Sequence, residues 1–479
     1  MKFTKMSLVA ALLVGSSAFA IDNVKVSGDA KLYYMTADVS DKVGGVEQVT
    51  GSSLFAQDYS AGQAALGLGV TADLAEGISA GVHATVLTTL GLENNLVGGV
   101  WAGNITPGTP AAGTPLAAGN GLQASNGTAW WVDQAWIAAT AGKTTGKIGR
   151  MEIDTPLAFT EKWNIAENTF EAAVLINQDI PDTTLVAAYV GGSNGANGTT
   201  VRNAQNGATP FRGYTSYNDG GSWAGGLLGT NALDAVGGAG AYAVGIVNNT
   251  VKPLTVQAWY YNVTQVADAY WLQADVNVEG ILFGAQYADM TLKNSITSVI
   301  DGTSHDVAAV ARTTADIDLT TTAYALMLGY EMKDVATFKA AYSSVSDDGI
   351  LTIQNTATGD QTKLYTEAWW NYGVVGQAGA DSYTFSAEAT VAAVDLLAQY
   401  THADVDHKGA LSAATMDEYT LTASKSFGPL DATLAYIYTE AKSGNVGGTL
   451  SHNYITNLAE QADEKVTYNM IQAYLTLNF

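Results

Sequence analysis

The chain has 479 residues, no cysteine and a formal net charge of −24 at pH 7. This excess of acid argues against nucleic acid as a partner, because phosphates would be repelled. The lack of cysteine excludes a disulfide framework and thiolate metal sites. Only 14% of the residues are charged and the mean hydropathy is +0.08, which is low in charge for a soluble protein of this size.

The N-terminus has the features of a secretory signal peptide. Lys2 and Lys5 precede an apolar run over residues 6–14, and Ala18-Phe19-Ala20 supplies a cleavage pattern of small residues. We expect residues 1–20 to be removed and residues 21–479 to form one domain. No later segment offers the ~20 consecutive apolar residues of a membrane helix. A membrane location would therefore require a β-barrel, the other fold that pairs its backbone groups in lipid.

Strand-like runs recur along the rest of the chain, and most have the length of a tilted membrane strand, about 9–13 residues. We predict eighteen of them, at about 23–37, 62–73, 77–90, 129–140, 144–152, 169–178, 182–191, 240–249, 253–263, 269–278, 280–290, 318–331, 334–345, 380–392, 394–404, 415–427, 429–441 and 464–479.

The connections between these runs alternate in length. Short turns follow every second strand, whereas most other connections are long, at 38–61, 91–128, 192–239, 291–317, 346–379 and 442–463. This layout is typical of an outer-membrane barrel. The sequence therefore predicts an all-β, transmembrane antiparallel barrel of about 18 strands, with short periplasmic turns and long extracellular loops.

Period-two alternation assigns faces to the strands. In residues 81–86 the valines would face lipid, while His83 and Thr85 would face the lumen. At the C-terminus, apolar and polar residues alternate from Ile471 to Phe479, the last residue. A terminal amphipathic strand that ends on phenylalanine resembles the assembly signal of bacterial outer-membrane proteins.

The connection after the fifth strand, residues 152–168, differs from the other connections. It combines charges with Pro156, Phe159 and Trp163, which indicates an ordered segment rather than a flexible linker. We expect it to fold inward and narrow the lumen. The predicted constriction charges are Arg150, Glu152, Asp154, Glu161, Lys162 and Glu167. The alternative is that some of them pair with one another and only hold the loop in place, and the strand parity of Arg150 is ambiguous.

Residues 149–191 resemble the major outer-membrane porins of Campylobacter-type bacteria. The resemblance is carried by Gly149-Arg150, Asp154-Thr155-Pro156-Leu157-Ala158-Phe159-Thr160-Glu161, Trp163-Asn164, Asn168-Thr169-Phe170 and Asn177-Gln178-Asp179-Ile180-Pro181-Asp182-Thr183-Thr184-Leu185-Val186-Ala187-Ala188-Tyr189-Val190-Gly191. It implies an eighteen-stranded, usually trimeric pore with the loop after strand five folded into the lumen.

The expected function is passive diffusion of small hydrophilic solutes and ions through water. Four carboxylates against Arg150 and Lys162 in the predicted constriction favour cations, because a confined pore concentrates the field of its fixed charges. No cofactor is required, although clustered carboxylates could bind Ca²⁺. The expected partners are outer-membrane lipid, lipopolysaccharide and two further copies of the chain in a homotrimer.

Two other classes remain open. One is a barrel with a structural or adhesive role through its long loops. The other is an outer-membrane hydrolase, for which His83 is the strongest lumen candidate but has no partner evident in the sequence. The G-x-S-x-G match at residues 191–195 lies in a low-complexity loop with no helix after it, which argues against a nucleophile elbow. We therefore expect no enzymatic activity.

Overall fold

The computed structural model describes residues 21–43, 46–49, 53–55, 60–88, 128–163, 165–193, 215–216, 240–264, 267–293, 297–300, 303–306, 318–349, 351–357, 361–406, 414–443 and 464–479. Among these residues, eighteen strands form a single barrel. They are β1 (Asp22–Val43), β2 (Ser60–Ala75), β3 (Ile78–Thr88), β4 (Thr128–Ala141), β5 (Thr144–Met151), β6 (Phe170–Asn177), β7 (Thr183–Ser193), β8 (Ala241–Asn248), β9 (Leu254–Val263), β10 (Ala267–Val278), β11 (Ile281–Leu292), β12 (Thr320–Met332), β13 (Ala336–Val345), β14 (Ala380–Val391), β15 (Val394–Val405), β16 (Ala414–Phe427), β17 (Leu430–Ser443) and β18 (Glu464–Asn478).

The barrel closes through β1, which pairs antiparallel with both β2 and β18. Every other strand pairs antiparallel with its two neighbours in sequence. The predicted strand number and the antiparallel order are thus confirmed. In the described residues, no helix is long and apolar enough to cross a membrane.

Shorter strands lie outside the set of eighteen. Val46–Val49 pairs with the end of β1, and Thr215–Ser216 pairs with the end of β7. Thr297–Ile300 and Thr303–Asp306 form a separate hairpin. The barrel itself therefore needs only the eighteen long strands.

The short connections are tight turns with left-handed backbone. Glu279 and Gly280, between β10 and β11, have φ angles of 52° and 87°. Positive φ at both central residues is the type I′ geometry that matches the twist of paired strands. The turn between β14 and β15 also has positive φ at both central residues, Ala392 and Ala393, at 51° and 57°. Alanine adopts this conformation at a higher free energy than glycine, because it carries a Cβ atom.

Alternation along each strand separates an apolar outer face from a mostly polar or small inner face. In β12, Tyr324, Leu326 and Leu328 are exposed on the outside, while Ala323 and Ala325 are buried on the inside. In β3, Val82 and Val86 are exposed, which places His83 on the opposite, inner face. The predicted parity of β3 is therefore observed.

An aromatic girdle of tyrosines lies on the outer face. Ring contacts join neighbouring strands at Tyr189–Tyr242, Tyr260–Tyr270, Tyr324–Tyr342, Tyr383–Tyr400, Tyr400–Tyr419 and Tyr419–Tyr438. Such girdles mark the interfacial zones of membrane barrels. Trp259 and Trp370, which are only 6% and 4% exposed, lie outside this girdle. Trp259 packs on the inner face, and Trp370 belongs to a segment inside the barrel.

Candidate functional site

The connection between β5 and β6 turns into the barrel, as predicted. Residues 152–163 and 165–169, here called the first inward segment, contain a small hairpin in which Asp154 bridges to Phe159. Leu157, at its tip, is 1% exposed, and its N–H points to the hydroxyl of Tyr261 on the inner face of β9 at 3.4 Å. The segment therefore reaches the inner face of β9, three strands along the wall from β6.

A second segment also lies inside, and the sequence interpretation of residues 346–379 as an outer loop was wrong. Residues 351–357 and 361–379, here called the second inward segment, run along the inner wall. Side chains from the wall strands hold it: Asp275 binds Tyr365, Gln286 binds the Lys363 carbonyl, Ser343 binds Thr366, Thr384 binds the Thr366 carbonyl, Gln399 binds the Glu367 carbonyl and Glu418 binds Asn371. The physical reason is that wall side chains satisfy the polar backbone of the segment, so that it can be buried.

The two inward segments are joined by hydrogen bonds around Asn355. Its side-chain amide donates to the Phe159 carbonyl at 2.8 Å and accepts the Phe159 N–H at 3.2 Å. The Asn355 side chain thus pairs with the N–H and the carbonyl of one residue, as the backbone of a neighbouring strand does. Thr356 adds two bonds to the Leu157 carbonyl, from its N–H at 2.9 Å and from its hydroxyl at 2.7 Å. We call this set of contacts the Asn355 clasp.

Glu161 belongs to this clasp and not to an open pore wall. Its carboxylate is fully buried, at 0% exposure, and accepts N–H groups from Trp163, Asn355 and Gln361 at 2.9, 2.9 and 3.0 Å. A buried carboxylate needs such donors because it has lost its water. The structure therefore uses Glu161 to hold the loop through neutral N–H donors, whereas the sequence analysis expected a pore charge or an ion pair with another constriction charge.

Arg150 also lies apart from the other predicted constriction charges. The strand register places it beside Ala135 and Glu171, on the side of the sheet that exposes Ile137 and Ile148. Its guanidinium donates to Glu171 at 2.8 Å and to the carbonyl of Val132. This corrects its expected position in the lumen, and the reason is the parity that it shares with Ile148.

Asp154, in contrast, is exposed on the first inward segment. It is 82% exposed and forms an ion pair with Lys363 of the second inward segment. Lys363 also lies over the ring of Phe159, 4.6 Å from its centroid. The charge of Asp154 therefore faces water, but with a positive partner that the sequence analysis did not anticipate.

Glu152, Lys162 and Glu167 come together beside a cavity of about 420 Å³. The cavity lies between the first inward segment and the inner faces of β1, β3, β4 and β18. Its acidic and basic lining consists of Asp29, Lys31, His83, Asp133, Glu152, Lys162 and Glu167. Four carboxylates thus face two lysines and a histidine across a water-accessible space.

Ion pairs connect these groups across the cavity. Glu152 accepts from Lys162 at 3.2 Å, and Glu167 lies 3.5 Å from Lys31 on the wall. Burial raises the pKa of Glu167, an effect that the charge of Glu152 reinforces and that Lys31 opposes. Burial alone would lower the pKa of Lys162, but the nearby carboxylates Glu167 and Glu152 raise it overall. The carboxylates therefore hold Lys162 in its charged form.

His83 has two carboxylate partners on the wall, which the sequence analysis missed. Its Nδ1 lies 2.7 Å from Asp133, and its Nε2 lies 3.5 Å from Asp29. Thr85 donates its hydroxyl to Asp133 at 2.9 Å rather than to the imidazole. Both ring nitrogens thus face carboxylates, and neither faces a hydroxyl that it could activate as a nucleophile.

Some of the missed residues had a usable signal and others did not. Asp29 and Lys31 share one parity in β1, so alternation alone assigns them to one face. Asp133 lies at an irregularity in the pairing of β3 with β4, between His83 and Ala84, where simple alternation fails. In the described part of the chain, no three His, Asp or Glu side chains are arranged to hold a metal ion, so the geometry adds no support for calcium.

The fold that surrounds this site is a porin-type barrel of eighteen strands. It is shared with solved outer-membrane porins of the Occ and Opd groups. OccAB2 of Acinetobacter baumannii has a TM-score of 0.61 at 15% identity, with 96% of this chain and 98% of that chain covered. OpdQ of Pseudomonas aeruginosa has a TM-score of 0.58 at 14% identity, covering 95% and 98%. OpdK of Pseudomonas aeruginosa, solved with vanillate, has a TM-score of 0.60 at 11% identity, covering 95% and 99%.

These likenesses establish the architecture of the chain. They come from Pseudomonas and Acinetobacter and give no support to a Campylobacter-type origin. No family model and no curated protein matches the sequence.

Proposed function

We propose that this protein is an outer-membrane porin, a water-filled channel through which small hydrophilic solutes and ions diffuse passively. The observation that carries the proposal is a closed barrel with an apolar outer face and an interior narrowed by two inward segments beside a charged cavity. A purely structural barrel has no need for charged groups facing interior water, because even paired charges stabilise a core less well than packed apolar side chains do.

The proposed preference is for cations. Four carboxylates outnumber two lysines in the cavity lining, and even a protonated His83 leaves an excess of negative charge. The low-dielectric walls concentrate the field of these charges in the narrow aqueous space. The preference should weaken with rising salt, because the Debye length falls from about 10 Å at 0.1 M to about 3 Å at 1 M.

Single-channel recording in a planar bilayer tests both parts of the proposal. The purified chain should give discrete conductance steps, and a KCl gradient should give a reversal potential on the cation-selective side. A reversal potential of the opposite sign would overturn the cation preference and leave the channel intact. A folded barrel that inserts without conducting would overturn the channel and favour the structural or adhesive role.

Uptake of carboxylate solutes is a second candidate function. Lys31 and Lys162 line the cavity, and two structural neighbours, OpdK and OccK2, were solved with vanillate and glucuronate, both of which are carboxylates. Liposome swelling with glucuronate, a neutral sugar of similar size and a monovalent amine distinguishes the candidates. Faster swelling with glucuronate than with the sugar would favour carboxylate uptake.

The cellular setting is part of the same proposal. The signal-peptide pattern of residues 1–20 and the tyrosine girdle support an outer-membrane location in contact with lipid and lipopolysaccharide. The homotrimer and the closer relation to Campylobacter-type major porins rest on the resemblance of residues 149–191. Chemical crosslinking of the detergent-solubilised protein tests the trimer directly.

A further inference from the structure

Lys363 is the basic residue in the described part of the second inward segment. Its ammonium group forms an ion pair with Asp154 and lies 4.6 Å from the centroid of the Phe159 ring. The side chain of Lys363 is 38% exposed and that of Asp154 is 82% exposed. The pair therefore borders interior water and is not sealed into the packed contact between the segments.

The Asn355 clasp, together with the bond from Gln286 to the Lys363 carbonyl, fixes the position of Lys363. Asn355 is fully buried and forms three hydrogen bonds to the first inward segment, two with Phe159 and one with Glu161. The first segment carries Asp154, and the second carries Lys363. Because the clasp joins these two segments, it also sets the position of the lysine relative to the carboxylate.

We propose that Lys363 is a selectivity-determining residue of the channel and that Asn355 is its positioning residue. The inference rests on the proposed channel function. Lys363 offsets the charge of Asp154 at the edge of the aqueous path, so the cation preference is set by both inward segments. A single fixed charge within about 8 Å of the ion path, screened at 0.1 M salt, changes the cation-to-anion permeability ratio by roughly twofold.

The first test removes the charge of Lys363. Lys363→Gln should raise the permeability ratio about twofold in a KCl gradient near 0.1 M, and the effect should vanish near 1 M. The double variant Asp154→Asn with Lys363→Gln should return the ratio to the wild-type value. Conductance steps of wild-type size at high salt would show that the substitutions leave the dimensions of the pore unchanged.

Lys339→Gln is the matched control. Lys339 has the same side-chain exposure, 38%, and a single carboxylate partner, Glu388, at 2.8 Å. It lies on the wall strand β13 and not on an inward segment. If both lysine variants shift the ratio equally, or if Lys363→Gln leaves it unchanged, Lys363 has no special place in selectivity and the inference is overturned.

The second test addresses Asn355. Asn355→Ala should change the permeability ratio and broaden the distribution of conductance steps, because Lys363 and Asp154 lose their common support. Asn371→Ala is its control, since Asn371 is also buried and hydrogen-bonded but anchors the second segment to Glu418 and Thr439 on the wall. A loss of thermal stability in both variants without a change of ratio in Asn355→Ala would show a merely structural role and refute the positioning part. A wild-type protein that forms no channel would overturn the proposed function and this inference together.

Discussion

Asp154 and Glu161 provide a sharp test of the constriction. The sequence predicts both as constriction charges, whereas the structure exposes Asp154 and buries Glu161. Asp154 is 82% exposed beside the aqueous interior, whereas Glu161 is fully buried among three N–H donors. Asp154→Asn should therefore change ion selectivity. Glu161→Gln should instead weaken the contact between the inward segments.

The size of the Asp154 effect follows from Coulomb's law. An ion about 8 Å away in water interacts with one unit charge by roughly 0.5 kcal/mol, which screening at 0.1 M salt reduces to roughly 0.2 kcal/mol. Losing this charge lowers cation occupancy and raises anion occupancy by about 1.5-fold each. The cation-to-anion permeability ratio should thus fall about twofold in Asp154→Asn, as measured from the reversal potential in a KCl gradient.

Glu161→Gln is expected to lower the stability of the contact between the inward segments. A glutamine has only one acceptor oxygen, so at least one of the three donors loses its partner, at a cost of about 1.5–3 kcal/mol for a bond to a charged group. The expected results are a lower temperature of heat-modified mobility on gels and broader conductance steps. Asp334→Asn, in the exposed turn between β12 and β13, is the control for loss of charge alone. Equal selectivity shifts in the Asp154 and Glu161 variants, or none in Asp154→Asn, would refute the assignment of these two roles.

Two further predictions concern assembly and pH. Gly28 exchanges both backbone hydrogen bonds with Phe479, at 2.8 and 2.9 Å, and a Cβ atom on Gly28 would lie 2.6 Å from the Phe479 ring. Deleting Phe479, or changing Gly28 to alanine, should slow the appearance of the heat-modifiable folded form in pulse-labelled cells. Gly146→Ala, where the nearest atom to the new Cβ is 3.8 Å away, should not, and equal slowing by both glycine variants would contradict a special role for the Gly28–Phe479 contact. Burial raises the pKa of Glu367 in the second inward segment from 4.5 to about 8. The folded state therefore binds more protons at Glu367 between these pH values, so the stabilising contribution of this group is greatest below 4.5 and is lost as pH rises through about 8. Glu367→Gln should flatten this dependence when the unfolding temperature is measured from pH 5 to pH 9, and an unchanged slope would show that another group is responsible.

The barrel was predictable because its signals are local. Backbone geometry alone makes the side chains of a strand alternate, so the exposed valines of β3 and the inward His83 follow from period two. Antiparallel order puts alternate connections at opposite ends of the barrel, so the alternation of short and long connections marks the two ends. The ordered, charged and aromatic composition of residues 152–168 marked the first inward segment, and its inward position is what the structure shows.

The composition of the constriction was decided only by tertiary structure. Asn355 contacts Phe159 across 196 residues of sequence, and Lys363 meets Asp154 across 209. No local pattern in residues 346–379 distinguishes an inward segment from an outer loop, because the donors and acceptors that allow its burial lie on distant wall strands. From the sequence Glu161 resembles a pore charge, because two of its three donors, Asn355 and Gln361, are distant in the chain. The sequence by itself determines where strands lie and which way their side chains alternate, whereas the field inside the barrel depends on which distant charges meet once the barrel has closed.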